Sequence, residues 1–213
     1  MTAREIRQTA WNALKPQWKK VIGITLLAGI VLFFVQTGIE IIGEYENSLL
    51  GTAIYSICTL LMLPVYYSIY WVSLRLLRTK EIVIQEIFEP YYSFEKFFKS
   101  IGVAVVSYIF LLLWTLLLII PGIIKSFSYS LIPFIIKDKP ELSILETITL
   151  SRKMMDGYKW KLFCLLLSFI GWFLLIPLTL GIMALWVVPY FLTAFTAFYE
   201  EVKKQYELKD SSK

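Results

Sequence analysis

Four long apolar runs, 21–42, 49–74, 101–136 and 162–199, are separated by charged segments. A bilayer core of about 30 Å is crossed by a helix of roughly 20 apolar residues, so the runs predict membrane-spanning helices rather than the half-apolar helices of a soluble core. The first two are single crossings by length, the second long enough to tilt. The other two are too long for one crossing and short for two. Composition agrees: 58% of the 213 residues are hydrophobic and 17% charged, where a soluble domain carries about 25% charged residues.

Charge sets the number of crossings. All but one of the 21 Lys and Arg residues fall in four segments: 1–20, 75–100, 137–161 and the tail from 203. The exception is Lys125. The link GEYENS, 43–48, carries two glutamates and no basic residue. Cytoplasmic loops collect Lys and Arg, so all four basic segments are expected inside, with an even number of crossings between each pair. The stretch LLLIIPGIIKSFSYSLIPFIIKDK, 116–139, then has to turn back at Pro121-Gly122. Proline cannot continue a helical ladder, and the residue before it leaves helical geometry. PLTLG, 177–181, is the second such turn.

The expected fold is all-α and integral to the membrane. Six transmembrane helices form three hairpins, at about 21–42, 49–74, 101–120, 122–137, 162–176 and 182–199, with both termini in the cytoplasm. The return after Pro121-Gly122 is short, near 21 Å at 1.5 Å per residue. It either extends through 137–139 or is re-entrant. The polar first twenty residues lack an apolar stretch followed by a small-residue cleavage site, so no cleavable signal is expected.

Each hairpin is preceded by an amphipathic segment. The faces are Ala3, Ile6, Ala10 and Leu14; Val83, Ile84, Ile87 and Phe88; and Ile144, Leu145, Ile148 and Met155. The third is expected to start at Pro140 and end by Gly157. Such helices either lie on the cytoplasmic interface, offering basic residues to anionic phospholipids, or pack on the end of the bundle. Each hairpin also opens on an aromatic residue, Lys and then a span: QWKKVIG, FFKSIGV and YKWKLFC. A single polytopic domain, 1–200, with a threefold hairpin repeat (1–78, 79–138, 139–200) is expected, followed by a polar tail, 201–213.

Residues 151–172, SRKMMDGYKWKLFCLLLSFIGW, complete a resemblance. With PGIIKSFSYSLIPFIIKDKPELS (121–143), LTLGI and PYFLTAFTAFYEE (189–201), the chain looks like the bacterial membrane family known as domain of unknown function 975. The resemblance covers nearly the whole chain and is strongest over 121–201. More distantly, the chain is similar to the membrane domains attached to some glycerophosphodiester phosphodiesterases. The family implies a multi-pass protein of the bacterial cytoplasmic membrane and no assigned activity, so it carries over no catalytic residues.

Few residues offer chemistry. There is no histidine, which removes His bases, His metal ligands and His triads. Cys58 and Cys164 lie within apolar runs at no metal or redox spacing. No phosphate-cradling glycine loop or carboxylate dyad stands out. No cofactor or metal is expected, and no enzyme activity. The net charge of +5 follows from topology, so no nucleic acid is expected as a partner.

Lys125 is the sharpest single residue, because a charge inside a span is costly. It either snorkels to the headgroups, pairs with Glu40, the lone acid of the first span, or contacts a substrate. Ser126 and Tyr129 join it as candidate substrate or headgroup contacts, Tyr129 at helical i, i+4 spacing. The plainer role for these hydroxyls is bonding between helices. Two functions are carried forward. One is a non-enzymatic accessory or scaffold for a membrane protein partner. The other is a small carrier or exporter of a lipid or an anionic amphipath, which needs a cavity lined by Lys125, Ser126 and Tyr129.

Overall fold

The computed structural model describes residues 1–45 and 49–211, and every regular element among them is helical. The order is α1 (Ala3–Leu14), α2 (Trp18–Tyr45), α3 (Leu49–Thr79), a 3-10 segment (Ile84–Tyr92), α4 (Phe94–Leu117), α5 (Ile119–Tyr129), α6 (Ile132–Asp138), α7 (Ile144–Met154), α8 (Lys159–Leu167), α9 (Ile170–Leu178) and α10 (Ala184–Asp210). The expected outer link 43–48 lies partly outside the described residues.

Five stretches are long and apolar enough to cross a bilayer: Ala3–Gly38, Leu50–Thr79, Phe94–Leu117, Ile119–Asp138 and Lys159–Leu178. The remaining expected span, 182–199, is helical only from Ala184 and meets Glu200 and Glu201 before reaching that length. Its helix does not stop there. The expected polar tail continues α10 to Asp210.

The return after α4 differs from expectation in its position and its length. The break is at Leu118, whose backbone is extended (φ −162°, ψ 142°), three residues before Pro121. Pro121 sits in the first turn of α5, where a backbone N–H has no intrahelical acceptor and its loss costs nothing. The proline starts the returning helix instead of ending the outgoing one. The return Ile119–Asp138 has 20 residues, the usual number for a crossing, divided into α5 and α6 by a turn at Ser130 and Leu131. Gly122 closes the hairpin: a Cβ there would overlap the Thr115 hydroxyl and lie 3.0 Å from Thr115 Cα. Between α9 and α10, Leu180 (φ 51°) and Gly181 (φ 90°) take left-handed backbone at the expected second turn.

α10 is the centre of the core. Ala194, Phe195, Phe198, Tyr199 and Val202 are buried together with Ile6 and Ala10 of α1, Leu131 just before α6, Phe134 and Ile135 of α6, and Leu162 and Leu165 of α8. Phe134 stacks on Tyr199 at 4.6 Å. Away from this core the helices expose large apolar side chains. Phe33, Phe34, Leu116, Leu117 and Leu178 are each more than 60% accessible, the pattern of a lipid-facing surface.

Two of the three amphipathic segments are α-helices and one is 3-10. α1 starts in a capping box between Thr2 and Glu5. It buries Ile6, Ala10, Ala13 and Leu14, so its apolar face belongs to the protein core rather than to lipid. The second segment is 3-10, not α, and buries Glu86 and Pro90 while Ile84 and Phe88 stay exposed. The third, α7, begins not at Pro140 but at Ser143, which forms a capping box with Glu146. Its buried face is Thr147, Ile148, Ser151 and Met154, with Leu145 exposed. α1 buries the face its spacing suggests, while in the second and third segments packing by neighbouring elements selects a partly different one.

Candidate functional site

The ends of α3 and α6 meet the middle of α10, and together they hold a dense polar cluster. Its hub is Asp138, whose side chain is nearly buried. Arg78 donates to both carboxylate oxygens, at 2.7 and 2.6 Å. Tyr199 donates its hydroxyl at 2.8 Å and Lys203 its ammonium at 2.7 Å. Arg78 Nε reaches Glu200 at 2.7 Å. Four donors hold this carboxylate in one geometry, three on Oδ2 and one on Oδ1. It ties the ends of α3 and α6 to the middle of α10.

A second cluster adjoins the first. Arg75 donates to Glu86 at 3.0 Å, and Glu89 takes Lys96 at 2.8 Å and Lys137. Lys137 lies over the Trp71 ring, 5.0 Å from its centroid, while the Trp71 indole donates to the Pro133 carbonyl at 2.7 Å. Burial alone would push the Glu89 carboxyl up. The hydrogen bonds from Lys137 and Lys96 outweigh it and hold Glu89 below the usual glutamate range.

These contacts gather the four basic segments. Met1 bonds Glu201 at 3.2 Å, the Gln17 amide donates to the Lys80 carbonyl, and Lys99 donates to the carbonyls of Lys139 and Pro140. Lys161 comes within 4.0 Å of Glu201.

The residues singled out in the sequence lie elsewhere. The Lys125 ammonium sits over the Trp114 ring, 4.3 Å from its centroid, and Tyr129 meets the same Trp114 side chain. The i, i+4 spacing therefore brings Lys125 and Tyr129 together around one indole. The Ser126 hydroxyl donates to the Ile123 carbonyl of its own helix at 2.7 Å. Glu40 accepts from Gln36 at 3.0 Å. Among the described residues no ion pair joins Glu40 to Lys125.

Sequence reasoning did not single out the Asp138 and Glu89 clusters, because Arg75, Arg78 and Lys137 read as topology signals. One sign was present: Asp138 is a lone acid between Lys137 and Lys139 at the end of an apolar run.

Against the far side of α10 lies an apolar groove of about 530 Å³. α2 contributes Val21 to Phe34, α3 contributes Ile69 to Leu76, and Ala184 to Thr193 of α10 form the floor. The volume is within the roughly 300–1,000 Å³ of small-molecule sites. None of Lys125, Ser126 and Tyr129 lines it. Among the described residues no group of His, Cys, Asp and Glu is placed to hold a metal ion.

The model of the family described as "Protein of unknown function (DUF975)" matches residues 1–125 and 115–206, and the chain belongs to that family. No curated protein and no solved structure matches it.

Proposed function

We propose that this family member is a non-enzymatic accessory protein of the bacterial cytoplasmic membrane, acting through what it binds laterally within the bilayer. It crosses six times as three hairpins, with both termini in the cytoplasm. The carrying observation is the apolar groove, open between α2, α3 and α10 and lined by no charged side chain. The crossing plan is supported by the contacts that bring residues 1–20, 75–100, 137–161 and 200–203 to one end of the molecule. The carboxylates Glu86, Glu89, Asp138 and Glu201 at that end are each paired with basic groups, which suits a scaffold better than a catalyst.

The carrier reading needs a cavity at Lys125, Ser126 and Tyr129, and the groove is built elsewhere. Extraction with native lipid, without detergent, followed by mass spectrometry of what co-purifies, separates the two. A recurrent membrane protein partner is the expected result. A solute or lipid held stoichiometrically and lost in Lys125→Ala would replace this reading with the carrier.

A further inference from the structure

We infer that the groove between α2, α3 and α10 seats one acyl chain of an anionic glycerophospholipid, with the phosphate against lysines at its Leu14–Val21 end. This rests on the groove being the binding element of the proposed function, and it names the occupant.

Length is the first argument. The lining along α2 runs from Val21 to Phe34, about 20 Å at 1.5 Å per residue. One leaflet supplies about 15 Å of the hydrocarbon core, half of its full thickness. A groove of that depth matches a single lipid tail, whereas a partner helix crossing the bilayer needs a track through both leaflets.

The wall chemistry agrees. Its lining is apolar apart from a few hydroxyls, and two of these are already bonded to their own helices: Thr193 donates to the Pro189 carbonyl at 2.8 Å and Ser73 to the Ile69 carbonyl at 3.4 Å. Gly29 leaves open space, with nothing within 4 Å of where its Cβ would stand. A saturated chain asks nothing more of such a wall.

Charge gives the direction. At the end formed by Leu14, Val21, Leu76 and Ile82, the chain places Lys15, Lys19, Lys20 and Lys80, all exposed. Lys80 is tied to this end by the Gln17 amide on its carbonyl. Among the described residues these four lysines enter no ion pair with a carboxylate. One acid, Glu81, neighbours them, which leaves an excess of positive charge for a headgroup phosphate. Anionic lipid in the inner leaflet meets such a cluster at the depth where the tail enters the groove.

The test uses the full-length chain, purified and delipidated in detergent. Native mass spectrometry follows after addition of phosphatidylglycerol and phosphatidylcholine with identical oleoyl chains. One retained phosphatidylglycerol per protein is expected, favoured by about tenfold over phosphatidylcholine. The surface variant Lys15→Gln, Lys19→Gln, Lys20→Gln should bring the two lipids close to parity. Gly29→Phe, which projects a ring into the groove, should remove the single retained lipid of either kind. Equal retention of both lipids by the unaltered chain overturns the inference. So does unchanged preference in the triple variant, which does not depend on Gly29→Phe folding. A membrane protein partner that still co-purifies under either result leaves the accessory reading intact. A specific lipid with no recurrent partner would support the inference and count against that reading.

Discussion

Asp138 shows how much depends on one side chain. Its carboxylate takes Arg78, Tyr199 and Lys203, so it joins the ends of α3 and α6 to the middle of α10. Removing one partner of a buried ion pair leaves the others uncompensated, at about 3–5 kcal/mol for a fully buried pair. Arg78 is more than a third exposed, so solvent screens part of this. Asp138→Ala is expected to destabilise by about 2–3 kcal/mol, read as a fall in melting temperature in detergent. Glu200→Gln removes only the charge of a partly exposed pair with Arg78 Nε and should cost less than about 1 kcal/mol. Equal losses would show that Asp138 is not the hub.

Glu89 gives the pH dependence at this scale. Its folded-state carboxyl is held below the ordinary range by Lys137 and Lys96. Its contribution is therefore present above the ordinary glutamate range and disappears as pH falls through the folded-state value. Melting temperature should decline on acidification, and Glu89→Gln should make that decline shallower. An unchanged slope would mean that the two lysines do not set it.

Elements are joined by close approaches and caps that residue type alone does not reveal. Gly122 and Gly171 both lie in apolar helices, yet only Gly122 faces a neighbour. Gly122→Ala drives a methyl group into Thr115 and should destabilise the α4–α5 hairpin by about 1–3 kcal/mol. Gly171→Ala meets nothing within 4 Å and should be neutral or stabilising by up to about 1 kcal/mol. Detergent melts of the two variants make the comparison, and similar behaviour would count against the close approach. The α4–α5 break illustrates what is legible in the sequence at this scale. The need for a turn follows from the charge pattern, but its position at Leu118 does not. Pro121 is compatible with the first turn of a helix as well as with the end of one, and α4 packing on α5 selects the former.

At the scale of the whole molecule, a six-crossing plan puts both termini on one side of the membrane. Cytoplasm-active and export-active reporters fused after Asp210 should report the cytoplasm, and a reporter inserted at the α9–α10 turn, 179–183, should report the outside. A cytoplasmic signal from that turn would remove the last hairpin. Residue order was enough to establish an all-helical chain with membrane-length segments and the family it belongs to. Apolar run length and the placement of Lys and Arg are local properties, and a bilayer reads them directly. The partners of Asp138, the burial of α1, the 3-10 form of 84–92 and the groove beside α10 were not legible. The partners of Asp138 lie 60 to 65 positions away and Lys137 lies 48 from Glu89; such contacts form across packed helices, and hydropathy and spacing carry no record of which faces will meet.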